Sequence, residues 1–150
     1  MIGNREVTEK QRKNHWARYE AHKGELPGAV CELINRVDRL NSEADVGFRR
    51  KNLSALLSNY FFDMKEVLQG MNSALRPDRM AFVVVGNNHT IAGGHRVEIE
   101  TATLLQKIAE SVGFRAEAPI PMEMLTSRDI FRRNTLASEA ILCLRKRTQK

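Results

Sequence analysis

The sequence predicts an α/β fold on three observations. Apolar residues recur at helical spacing over about residues 30–40, 53–75 and 104–112. A six-residue apolar run, Met80–Val85, follows the second of these and is bounded by Pro77 and Gly86, the length and punctuation of a strand. After Gly113 the apolar period changes to two. The 150 residues are of single-domain size, long enough to bury roughly two-thirds of the surface an unfolded chain exposes.

Residues 1–50 read as a basic, mainly helical N-terminal region. Its first part, to about Gly24, carries Lys10, Arg12, Lys13, Arg18 and Lys23, with Ile2, Val7, Trp16 and Tyr19 as its only large apolar groups. That pattern fits a loose helix or an ordered arm. A clearer helix follows: Pro27 suits a first helical position, and Val30, Leu33, Ile34, Val37 and Leu40 form its apolar stripe. Glu43–Lys51 is expected to be a connector ending in Arg49-Arg50-Lys51.

Residues 51–150 hold the α/β part. Leu53, Leu56, Leu57, Tyr60, Phe61, Met64, Val67, Leu68, Met71 and Leu75 keep the helical period over a long helix. Arg76-Pro77-Asp78 ends it, because proline disfavours helical geometry in the residue before it. Met80–Val85 is apolar at every position, which predicts a strand buried on both faces, as in a parallel sheet covered by helices. Gly86-Asn87-Asn88 breaks it, and His89–Glu100, with Gly93-Gly94, reads as a turn-rich connection. A third helix is expected from Thr101, as cap, to Val112, with Leu104, Leu105, Ile108 and Ala109 buried and Gly113 as its stop. Phe114, Ala116, Ala118, Ile120, Met122 and Met124 then share one face of a strand, and Pro119 and Pro121 mark it as an edge. A polar loop, Thr126–Thr135, leads to a last strand, Ser138 to about Leu144, antiparallel to the one before it. The chain ends in a basic tail containing Arg145-Lys146-Arg147.

Composition narrows the function classes. Nine Gly, four Pro and two Cys exclude collagen-like and disulfide-scaffold chains. No apolar run approaches the roughly 20 residues of a membrane span, and Met1–Lys10 lacks the apolar core of a secretory signal, so a cytoplasmic protein is expected, with no membrane partner. Cys31 and Cys143 have no metal-ligand spacing and are expected to be reduced thiols. The net charge of +6 suits an anionic partner, nucleic acid being the commonest.

A family resemblance is carried by three stretches. Asn59-Tyr60-Phe61-Phe62-Asp63-Met64-Lys65-Glu66-Val67-Leu68, then Leu75-Arg76-Pro77, then Phe82-Val83-Val84-Val85-Gly86-Asn87, resembles the S-adenosylmethionine-dependent DNA methyltransferases that modify adenine N6 or cytosine N4. In that family an aromatic-Asp-Met helix leads through a Leu-Lys-Pro-Gly-Gly turn into an apolar strand ending in Val-Gly-Asn or Val-Gly-Asp. Glu100–Phe114 is similar to the family's next helix, and Arg133–Lys146 to its closing loop and strand. Asp78-Arg79 stands where the family has Gly-Gly. The match spans about residues 49–147.

The resemblance implies a partial Rossmann-like methyltransferase fold: the family's helix, fifth strand, helix, and strands six and seven, with the seventh antiparallel between five and six. It also implies what is missing. Such an enzyme needs a glycine-rich turn after its first strand and an Asp/Asn/Ser-Pro-Pro-aromatic loop that holds the flipped base. The chain contains no Pro-Pro pair, and Gly93-Gly94 follows the fifth strand rather than the first. The resemblance therefore transfers no catalytic and no cofactor-binding residue. S-adenosylmethionine belongs to the complete enzyme and is not expected to bind this chain alone. DNA and a complementary methyltransferase half, on a separate chain or an upstream segment, are the implied partners.

Ligands of open α/β sheets bind beyond the carboxyl ends of the strands. Gly86, Asn87 and Asn88 fall there and are candidates to face the base or the DNA backbone, the alternative being turn geometry alone. Arg132, Arg133 and Asn134, in the loop after the edge strand, are candidates to clamp phosphate, the alternative being a solvated loop. Arg12-Lys13 and Arg49-Arg50-Lys51 read as solvated charges, Tyr60-Phe61 as core, and His89 with His95 as a pair without further metal ligands. Trp16 is left open between stacking and anchoring. The rival function is a non-catalytic nucleic-acid-binding or interaction module on the same scaffold. With half a sheet exposed, self-association of the chain is expected.

Overall fold

The computed structural model describes residues 8–122 and 139–148. It is a mixed α/β structure whose described residues fall into two compact units, one formed up to Val67 together with Thr90–Val97, the other by Leu68–His89 and the residues from Glu98 onward. Among the described residues no helix is long and apolar enough to cross a membrane.

The first unit opens with helix α1, Glu9–His22, better formed than the arm its apolar content suggested. Thr8 accepts from the backbone of Gln11 while the Gln11 side chain accepts from the backbone of Thr8, so two of the unpaired N–H groups at the helix start are satisfied. One face of α1 is held by Tyr19, fully buried, whose hydroxyl donates to Asn35 Oδ1 at 2.9 Å. Burial, with Cys31 nearby, raises the Tyr19 hydroxyl well above its ordinary pKa. Arg18 reaches Glu66 at 2.6 Å and lies over the Phe62 ring at 4.8 Å. Trp16, half-buried, packs against Tyr19 of the same helix with ring centroids 5.1 Å apart.

A 3-10 turn, Lys23–Glu25, leads through Pro27, as cap, to α2, Gly28–Ser42. Val30, Ile34 and Val37 are its buried stripe, at the expected helical spacing. The connector is not wholly irregular: Phe48–Lys51 forms a short helix, α3. The long helix α4 spans Leu53–Ala74, with Ala55, Phe61, Phe62, Met64 and Leu68 buried. Tyr60 meets the fully buried Phe61 edge-on at 5.2 Å, and burial raises its pKa, so this pair belongs to the core.

The turn-rich connection contains a β-hairpin. Strands β2, Asn88–Ala92, and β3, His95–Ile99, pair around Gly93-Gly94, whose φ angles are +55° and +84°. Two successive left-handed residues give a turn whose twist matches the strands, which is what Gly-Gly supplies. A side chain on Gly93 would lie 2.3 Å from the Leu40 carbonyl oxygen, so the position also requires a bare backbone. Ala92 and Val97 of this hairpin complete a cluster with Val37, flanked by Leu33, Leu40, Leu53 and Leu57.

The second unit is built on a four-stranded sheet. β1 is Met80–Gly86 and β6 is Glu139–Lys146; β4, Phe114–Ala116, and β5, Ile120–Met122, both pair the other side of β6. β6 is antiparallel to all three, so the last strand lies between the apolar strand and the proline-bearing edge. Helix α5, Thr101–Ser111, buries Leu104, Leu105, Ile108 and Ala109 and stops at Gly113, φ +102°. Full burial of such a side chain contributes roughly 1.5–3 kcal/mol.

Two expectations for this sheet are corrected. β1, antiparallel to β6 as the resemblance implied, is not buried on both faces. Ala81 is buried while Phe82 and Val84 are 59% and 61% exposed. Nor does the proline strand keep one face throughout. Ala116 pairs Leu144, but Ile120 pairs Ile141, so four steps along the edge match three along β6. One extra residue between β4 and β5 reverses which way the side chains point. Phe114 is therefore buried with Leu142 and Leu144, whereas Ile120 and Met122 are 51% and 37% exposed.

The turn before β1 is made at Asp78-Arg79. Asp78 takes φ +60°, the conformation glycine tolerates best, and its N–H donates to the Lys146 carbonyl at 3.2 Å.

Candidate functional site

The carboxyl ends of β1 and β5 meet at one place. Gly86 and Met122 both pair with Glu139, the first residue of β6, from opposite sides. The chain leaves β1 there through Asn87 and Asn88, so Gly86, Asn87 and Asn88 lie together at this end of the sheet. Arg132, Arg133 and Asn134 lie outside the described residues.

Within that group the two asparagines differ in what their side chains do. Asn87 Oδ1 accepts from the Ala102 N–H at 3.1 Å, in the first turn of α5. The residue before that helix, Glu100, gives no side-chain cap, and the Thr101 hydroxyl turns back to the Ile99 carbonyl at 3.3 Å. Thr101 is thus inside the helix rather than its cap, and Asn87 serves one of the open N–H groups from a distance in sequence. Asn88 is exposed, with Oδ1 turned to the next backbone N–H, His89, at 2.8 Å. Of the two, Asn88 is the side chain presented outward.

Other sequence candidates have structural partners. Arg145 donates to Glu117 at 2.7 Å and to the Asp78 carbonyl at 3.0 Å, joining β6 to the bulged edge and to the turn before β1. The same bond holds the Glu117 carboxyl below its ordinary pKa. Lys146 Nζ donates to the Leu75 carbonyl at 2.7 Å, at the end of α4, where a cation suits the helix dipole. Cys31 and Cys143 are free. Among the described residues no three His, Cys, Asp or Glu side chains come together around His89, His95 or anywhere else.

The feature that sequence reading missed is an open apolar surface on the sheet. Directly opposed residues of an antiparallel pair point to the same face. Val84, Ile141 and Ile120 therefore form one row across three strands. Phe82 stands beside the row on β1, and Met122 beside it on β5. The other face carries Ala81, Leu142, Leu144 and Phe114, all buried. Only the one-residue shift at the edge brings Ile120 and Met122 into the row, and nothing in the apolar period announces it. Set beside known proteins, the chain matches no family model, no curated protein and no solved structure.

Proposed function

We propose that this cytoplasmic chain is part of a DNA amino-methyltransferase, transferring methyl from S-adenosylmethionine to adenine N6 or cytosine N4 only when a complementary half is joined to it. The observation that carries this reading is the open sheet. Among the described residues β1 pairs on one side only, with β6. Natural edge strands are blunted by charge, proline or a bulge. Met80–Gly86 has no charge and no proline, and it pairs β6 without a break over seven residues. Beside this edge lies the row Val84–Ile141–Ile120, and a surface of that kind marks an interaction site. A strand laid along β1 with a helix over the row would bury both features, as in a helix-covered Rossmann-like sheet.

Supporting this, the order of motifs from Asn59 to Lys146 runs as in the family, and the last strand lies antiparallel between the apolar and proline-bearing strands. Among the described residues the Gly-Gly pair does not fit S-adenosylmethionine. The pair forms a hairpin turn closed against the Leu40 carbonyl, leaving no cradle for a nucleoside. Holding the cofactor is assigned to the complementary half.

The test is calorimetric titration with S-adenosylmethionine of the chain alone and of the chain assembled with a half bearing the glycine-rich turn and Pro-Pro-aromatic loop. No heat alone and saturable binding in the assembly is expected. Saturable binding by the chain alone, or no assembly with any such half, contradicts the reading. Salt-dependent DNA affinity in a chain that accepts no such half favours the non-catalytic binding module.

A further inference from the structure

We infer that the first unit carries a contact site for a nucleic-acid strand, in a recess of about 280 Å³ lined by Arg12, Asp38, Asn41, Ser42 and Lys51. The site rests on the proposed function only for its choice of DNA as probe, and uses neither the cofactor nor the open sheet. It joins the two basic runs, Arg12-Lys13 and Arg49-Arg50-Lys51, that look like separate solvated charges in the sequence.

The floor of the recess is fixed by hydrogen bonds. Asn41, 3% exposed, donates to the Arg50 carbonyl at 2.8 Å and accepts from Gly93 N at 3.0 Å. It thereby ties α3 to α2 and sets where Lys51 projects beside Ser42. Asp38 accepts from the Ser54 hydroxyl at 2.7 Å. Arg12 enters from α1, where its contact with Glu9 is a long 3.8 Å. A guanidinium, an ammonium and a serine hydroxyl thus converge on one recess against one carboxylate, Asp38, a donor set suited to a phosphate oxygen.

Phe48 points to a strand rather than to free phosphate. It is 55% exposed and lies three residues before Lys51 on α3, hence on the same face of that turn. An exposed aromatic ring beside cations is the combination that stacks a base while its phosphate is held.

The experiment is fluorescence anisotropy of a labelled single-stranded oligothymidylate with the full chain, at several salt concentrations, with inorganic phosphate in a parallel titration. R12Q/K51Q is expected to weaken oligonucleotide binding about tenfold and to flatten the salt dependence by about one phosphate contact. F48A is expected to cost about fivefold on the oligonucleotide and nothing on inorganic phosphate. D38N, whose amide oxygen still accepts from Ser54, is expected to tighten binding more than the same charge change in E110Q, on exposed Glu110 of α5. Equal effects of D38N and E110Q, an R12Q/K51Q variant that binds as the parent does, or binding of inorganic phosphate alone each overturn the assignment. Failure of methyl transfer in an assembled enzyme leaves this titration unaffected, so the two readings fail separately.

Discussion

The Asn87 side chain accepts a hydrogen bond from the Ala102 N–H at 3.1 Å, tying the end of β1 to the first turn of α5. An asparagine that follows the central strand and looks placed to meet a substrate is, in Asn87, also a helix cap. N87A is expected to destabilise the protein by about 1 kcal/mol, as loss of a cap usually does, and N87D to retain most of that. Chemical denaturation of the two variants checks this. Equal stability of N87A and the parent would reduce Asn87 to a surface group.

Phe82 and Val84 hold the exposed face of β1. The chain is expected to self-associate as concentration rises, and F82T/V84T to reduce that association while changing unfolding free energy by no more than about 0.5 kcal/mol. Light scattering across a concentration series gives the answer. A parent chain that stays monomeric throughout contradicts the exposed face.

Asp78 carries a left-handed backbone at φ +60°. A β-branched residue tolerates that conformation poorly, so D78V is expected to lose about 1–2 kcal/mol. D78G is expected to stay within about 1 kcal/mol of the parent, strain relief offsetting the unfolded-state entropy of glycine. Thermal melts of both compare them directly.

Two carboxylates link stability to pH. Glu25, bonded to Lys65 at 2.8 Å and to His22 at 2.9 Å, and Glu117, bonded to Arg145, both titrate below their ordinary value of 4.5. A depressed folded-state pKa means the unfolded chain binds the proton first as pH falls. Their contribution is therefore complete above that value and is lost as pH drops through it toward the lower folded values. Melting temperature should fall across this acid window, and E117Q should make the fall shallower. An acid slope unchanged in E117Q would remove Glu117 from the linkage.

Most helices were legible because their stripes obey one period, as Val30–Ile34–Val37 and Leu104–Leu105–Ile108 show. That β5 pairs on one side only among the described residues was legible from Pro119 and Pro121, which cannot donate to a ladder. Three features were less so, for different reasons. Helix α1 has few apolar residues, and its signal lay in Thr8 and Gln11, a capping pair three apart. The hairpin at Gly93-Gly94 was signalled by the pair itself, between Thr90-Ile91-Ala92 and His95-Arg96-Val97. The open row needed the register: only the pairing of Ile120 with Ile141 shows that the edge strand changes face. At the candidate site, Gly86 ends β1 and Asn88 begins β2, and the partner of Asn87 is a backbone group 15 positions away that no local pattern names.

If this sheet is one half of a methylating domain, as proposed, methyl transfer requires the other half. The direct measurement is transfer of radiolabelled methyl from S-adenosylmethionine to mixed-sequence duplex DNA by the chain, by the chain assembled with a cofactor-binding half, and by that assembly carrying F82D/V84D. Label is expected in DNA only for the unsubstituted assembly, on adenine N6 or cytosine N4. Label transferred by the chain alone, or by the F82D/V84D assembly as efficiently as by its parent, would contradict it.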